Sequence, residues 1–192
     1  MVRGMDKYSI SDIDEIREYN KKRFTGFFPG NLLSDELLEY LSSNFYFTAP
    51  SACSIHGAWI GGNFDHSMRV TEYLLQYTKD GGLTWEREES PYIIGMFHDL
   101  CKSDVRDFRT NSSGRLKIIM VPDKDKRHAE KSLELIEPFI KLTEEERLCI
   151  YYHMGKYDEK LEYFGQMDEA ALKYPNIIWT QKADTVAARE GI

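Results

Sequence analysis

His98 and Asp99 stand side by side at the end of an apolar run, "SPYIIGMF", in a chain with five histidines: His56, His66, His98, His128 and His153. A second aspartate, Asp184, interrupts "IIWTQKADTVAA", which otherwise has the composition of a buried helix. Burying an unpaired carboxylate costs several kcal/mol, so each aspartate calls for a cationic partner. In chain order, His66, His98-Asp99, His128, His153 and Asp184 offer imidazoles and carboxylates with no thiolate among them. That donor set suits a borderline-to-hard divalent ion: Fe, Mn, Co, Ni, Zn or Mg. Such an ion supplies hydroxide from water near neutral pH and polarises phosphoryl oxygens. A lone helical histidine is nevertheless usually a packed or solvated side chain, and a lone helical aspartate is commonly solvated. The joint pattern favours chemistry; spacing across so many helices does not by itself establish a metal site.

The elements that must position these residues read as helices. "SDIDEIREYNKKRF" opens on a Ser11 cap with acidic first-turn residues and closes on basic ones, as a helix dipole prefers. "GFFPGN" ends it, and Ser34 caps a second helix, "SDELLEYLSSN". "FYFTAPSACSIHGAWIGG" is irregular, punctuated by Pro50 and Gly61-Gly62. His66 falls in a helix predicted from an Asn63 cap to the Gly81-Gly82 stop. His98 ends one that starts with Ser90 at the cap and Pro91 at the first helical position. His128 starts a helix, His153 ends the next, which carries a Thr143/Glu146 capping box, and Asp184 lies in the last, "PNIIWTQKADTVAARE". The short turn at Leu142-Thr143 predicts antiparallel packing that brings His128 beside His153. Only "TNSSG", between "DFRT" and "RLKIIMV", predicts β-structure, a hairpin near residues 106 to 121. The expected fold is all-α, a helical bundle with one small β-hairpin insertion.

The 192 residues are expected to form one domain, with 1–50 as a helical N-terminal extension and 51–190 as the core. A formal net charge of −7 argues against a dedicated nucleic-acid binder. Small anionic substrates stay open, because a metal ion or local lysines reverse the field inside one cleft. Cys53, Cys101 and Cys149 are odd in number and form no CxxC pair, so neither a disulfide framework nor a thiolate zinc site is suggested. Each is expected to be a small buried hydrophobe rather than a nucleophile. The N-terminus lacks an apolar signal region, and no apolar stretch reaches the roughly 18 residues of a membrane span, so the expected setting is the cytoplasm, away from membranes.

Several local motifs together resemble the HD-domain superfamily of metal-dependent phosphohydrolases. "FDHSMRV" resembles its first-histidine helix, and "MFHDLCK" its His-Asp signature, usually HD-x-G-K, with Cys101 in place of the glycine. "QKADTVAA" resembles the closing Asp helix, and "HGAWIGGNFDH" is similar to the HxxxxGGLxxH run of HD proteins related to bacterial 3′–5′ exoribonucleases. "RHAEKSL" and "CIYYHMG" match the extra histidines of the subset that holds two metals. The resemblance spans about residues 50 to 190. It implies that His66, His98, Asp99 and Asp184 ligate one divalent ion, and that Asp99 bridges to a second held by His128 and His153.

Three functions follow as expectations. The first is a phosphomonoesterase or phosphodiesterase acting on a small, nucleotide-like phosphate ester through metal-activated water. Lys102, four residues after His98, is then a candidate phosphate contact and catalytic residue, although a solvated helix-end lysine fits equally well. Arg69, one turn beyond His66, is a candidate substrate contact against the plainer alternative of a surface ion pair. His56 is a candidate pocket residue against that of a structural histidine. The second function is a di-iron oxygenase on the same scaffold, and the third a non-catalytic nucleotide-binding regulatory module, against which the intact ligand set argues. An exoribonuclease fits poorly, because residues 1–50 read as helical rather than as a β-barrel module and the chain is acidic. Homodimerisation is compatible with the sequence.

Overall fold

The computed structural model describes residues 10–52, 57–103, 106–110, 112, 116–120, 128–155 and 162–190. Helices dominate them: α1 (Ile10–Phe27), α2 (Asp35–Ser43), α3 (Gly62–Gly81), α4 (Ser90–Phe97), α5 (His128–Ile136), α6 (Glu144–Tyr151), α7 (Glu162–Lys173) and α8 (Asn176–Glu190). A 3-10 turn, Leu100–Ser103, follows α4. Strands β1 (Arg106–Thr110) and β2 (Leu116–Met120) pair antiparallel, with Phe108 opposite Ile118. The turn residues 111 and 113–115 between them lie outside the described residues. No described helix is long and apolar enough to cross a membrane.

Two caps are as the local chemistry dictates. Ser34 accepts the Leu37 N–H at the start of α2, and Thr143 and Glu146 form a reciprocal capping box on α6. Three other starts differ from the sequence reading. Helix α1 begins at Ile10, so Ser11 lies inside its first turn. Helix α3 begins one residue before Asn63, after Gly61, whose φ of 80° is a left-handed conformation open to glycine. That frees the Asn63 amide to donate to the Asp99 carbonyl at 3.2 Å. Glu89 rather than Ser90 caps α4, because the Ser90 hydroxyl donates to buried Glu146 at 2.7 Å instead. Arg87 pairs with the same carboxylate through two nitrogens at 2.7 Å, a network between α4 and α6 that no local sequence signal announces.

The core forms two clusters that share α3 and α4. In one, Phe24, Phe28, Tyr46, Phe47, Phe64 and Phe97 pack ring to ring, many edge to face, with Leu37 and Leu41 of α2 alongside. Helices α1 and α2 therefore complete this core rather than hang from it. Buried Tyr46 donates its hydroxyl to the Met96 carbonyl at 3.0 Å. The other cluster joins Val70 and Leu74 of α3 and Ile94 of α4 to Cys149 and Ile150 of α6 and Ile177, Ala183 and Ala187 of α8.

Helices α3 and α4 approach so closely that a Cβ on Gly95 would lie 2.2 Å from Thr71 Oγ1 and 2.6 Å from its Cα. The backbone contact leaves no flexible side chain to give way. Gly95→Ala is therefore expected to destabilise the protein by about 3 kcal/mol, the upper end for overpacking, read as a lower midpoint in equilibrium urea unfolding.

Candidate metal centre

The apolar run of α4 is buried on every side, with Ile93, Ile94, Met96 and Phe97 fully enclosed, so its C-terminus delivers His98 and Asp99 into the interior. His66 projects from the first half of α3, whose start is fixed by Asp65 accepting from Arg23 at 2.7 Å and from the Trp59 indole at 3.0 Å. Asp184 comes from α8, His128 from the first residue of α5, and His153 from just beyond α6. Packing brings all six to one place. His66 Nε2 is 2.9 Å from Asp184 Oδ1, 3.3 Å from His98 Nε2 and 3.7 Å from Asp99 Oδ2. His98 Nε2 is 3.4 Å from Asp99 Oδ2 and 3.7 Å from Asp184 Oδ1. The other Asp99 oxygen, Oδ1, meets His128 Nε2 and lies 3.6 Å from His153 Nε2.

Two imidazoles have a fixed tautomer. His98 Nδ1 is 2.9 Å from the Gly95 carbonyl and His153 Nδ1 is 2.7 Å from that of Ile150. A carbonyl only accepts, so each Nδ1 carries the proton and each Nε2 presents a lone pair inward when the ring is neutral. His153 Nε2 is buried without a hydrogen-bond partner. Lone pairs aimed at carboxylate oxygens repel unless a cation lies between them, and ligating histidines are ordinarily held in this way by their outer nitrogens. His66, His98 and Asp184 offer ligand atoms within 4.8 Å of one another, and so do His98, Asp99 and His153. The residues thus fit a divalent ion.

The electrostatics agree. Burial works to raise the Asp99 carboxyl, but Lys102, His98 and His128 hold it well below the usual carboxylate range. Burial likewise opposes ionisation of Asp184, yet its hydrogen bond to His66 and the nearby imidazoles bring it down to about 2. Burial lowers His66 and His128, whereas for His98 the two aspartates outweigh burial and raise it.

A depressed carboxyl stabilises the fold above its unfolded value and ceases to as pH falls through the folded one. For Asp184 in chelator-treated protein that window runs from 3.8 down to about 2. The corresponding loss is about 2 kcal/mol. Urea titrations of wild type and Asp184→Asn across the window should show this extra acid sensitivity in wild type alone.

Of the other residues singled out in the sequence, Lys102 is brought to the cluster: Nζ pairs with Asp99 Oδ2 and lies 3.5 Å from Ser51 Oγ. Arg69 makes no hydrogen bond or ion pair with the cluster among the described residues; its charge acts on Tyr73, one turn along α3. His56 and Cys53 lie outside the described residues. Cys101 and Cys149 are buried, as expected of small hydrophobes. Cys101 nonetheless does more than fill space, with Sγ 2.9 Å from His128 Nδ1. Sequence reasoning missed this contact and the Asn63 amide on Asp99. The only signal for the first was the departure from glycine; the second had none.

A family model for the HD domain matches residues 63–188, which take in both aspartates and all four clustered histidines. No curated protein and no solved structure matches the chain. The family match covers well over half of the sequence, and with it the chain belongs to the HD-domain family.

Proposed function

We propose that this HD domain is a phosphohydrolase with two divalent ions, acting on a small, nucleotide-like phosphate monoester or diester. The observation that carries the reading is the division of one carboxylate between two histidine pairs. Asp99 Oδ2 faces His66 and His98 at 3.7 and 3.4 Å, while Oδ1 faces His128 and His153. Asp99 would help hold both ions, one with His66 and His98 and the other with His128 and His153. Asp184 completes the first set through His66 and His98. Such ions supply acidified water and neutralise charge on the phosphoryl group.

The chain's own residues supply the rest. Asp99 and Asp184 remain ionised at neutral pH, because their carboxyls are depressed, and so are ready to ligate. The backbone carbonyls of Gly95 and Ile150 hold His98 and His153 in the ligating tautomer. Lys102 Nζ, at the edge of the cluster, is the cationic side chain placed to meet an equatorial phosphoryl oxygen.

Phosphate release from a panel of nucleoside monophosphates, cyclic nucleotides and simple phosphate esters tests this reading. Hydrolysis of at least one ester is expected to vanish after chelation and return with Mn, Fe, Co, Ni, Zn or Mg. Undiminished hydrolysis by metal-stripped protein, or no hydrolysis with any of these ions, would overturn it. Dioxygen uptake by iron-loaded protein in place of hydrolysis would select the di-iron oxygenase.

A further inference from the structure

The histidines of the cluster differ in how the outer ring nitrogen is held. His98 and His153 each have a helical turn behind them, and each directs Nδ1 to the carbonyl three residues back, at 2.9 and 2.7 Å. His128 opens α5 and meets a side chain instead: Cys101 Sγ lies 2.9 Å from its Nδ1. Cys101 is fixed to that helix at a second point. Its backbone N–H donates to Ser132 Oγ at 3.1 Å, one turn beyond His128 on the same face. The turn that carries Asp99 and the helix that carries His128 are thus joined twice through this one residue, whose thiol is buried.

We propose that Cys101 is the positioning residue of His128: when a metal is bound, its sulfur accepts the Nδ1–H, so that Nε2, which otherwise donates to Asp99 Oδ1, is free to ligate. It does for His128 what the Gly95 and Ile150 carbonyls do for His98 and His153. The inference rests on the two-ion reading above. An imidazole ligates through one nitrogen only when the other carries the proton, and the partner of that other nitrogen decides the tautomer. The thiol can also donate to Nδ1, which puts the proton on Nε2 and closes this ligand to a metal. Loading the second site therefore requires the sulfur to act as acceptor. The glycine usual at this position in the HD-x-G-K pattern has no side chain to make the contact, so the device belongs to the cysteine.

Titration of full-length, metal-stripped protein with Co²⁺, followed by visible absorption and elemental analysis, tests the assignment without assaying turnover. Wild type should take up about two Co²⁺ per chain. Cys101→Ala should leave the first site unchanged and weaken the second about tenfold, the lower end for loss of an outer-shell partner, since sulfur accepts weakly. Cys101→Ser, which restores an acceptor, should stay within about threefold of wild type. Cys101→Val, which fills the space without a hydrogen bond, repeats the comparison if the alanine variant folds poorly, with helical circular dichroism as the check. Unchanged second-site affinity in the alanine and valine variants overturns the proposal and leaves the two-ion reading standing. Sulfur-to-cobalt charge-transfer absorption in wild type that Cys101→Ser removes also overturns it, by making the cysteine a ligand. Uptake of a single Co²⁺ by wild type removes the two-ion reading and the proposal with it.

Discussion

Asp99→Ala should lose more than about a thousandfold in phosphate-ester hydrolysis, well above the 10–100-fold that outer-shell changes cost. One carboxylate faces four imidazoles and an ammonium: Oδ2 has His66, His98 and Lys102, and Oδ1 has His128 and His153. Removing it withdraws a donor from both histidine sets at once, so bound metal measured by elemental analysis should fall along with turnover. The fold should survive, because α4 is anchored by Ile93, Ile94, Met96 and Phe97 rather than by the residue that follows it. Helical circular dichroism near that of wild type is therefore part of the expected result. Asp99→Asn separates charge from shape: the amide keeps the volume but brings no negative charge, so it should restore folding stability more than metal binding. Wild-type turnover in either variant would remove Asp99 from the chemistry.

Several parts of this arrangement are legible in the sequence because they are local. The Ser34 cap and the Thr143/Glu146 box join residues three apart, and the structure has both. An aspartate after an apolar helix, and another inside one, announce themselves by the cost of burying them. What is hidden depends on partners far along the chain. Ser90 looks like a cap until Glu146, 56 residues later, claims its hydroxyl. Asn63 looks like a cap until helix α3 starts one residue earlier and the amide turns to the Asp99 carbonyl. Cys101 looks like a small hydrophobe, and its contact with His128 spans 27 residues. Helix α7 went unforeseen for a different reason: "EYFGQMDEAALK" carries a glycine in its interior and no strong cap, so its helicity is not set by local preference. Arg69 shows the limit of spacing as a guide: three residues put it on a face shared with His66, yet among the described residues its charge acts on Tyr73, a turn further along α3.

Replacing His128 and His153 together with alanine should lower bound metal from about two ions per chain to about one. Both rings face Asp99 Oδ1, whereas His66 and His98 lie against both aspartates. The first set keeps His66, His98, Asp184 and Asp99 Oδ2 in the double variant; the second loses everything but a shared carboxylate oxygen. His153 is nearly fully buried with Nε2 unpartnered, an arrangement that costs stability unless a ligand completes it. Metal-free double variant should accordingly be little less stable than metal-free wild type, while the metal-dependent rise in Tm shrinks with the lost site. The competing role for the two histidines is to bind substrate phosphate as imidazolium. Under that role the metal count stays at two and the loss appears in KM for the phosphate ester. His128, half-buried, suits such a role by exposure alone, but its Nε2 is directed at Asp99 and its Nδ1 at Cys101, which leaves no free N–H to offer a phosphate. Counting metal in the double variant decides between the two, and an unchanged count would show that these histidines are not ligands.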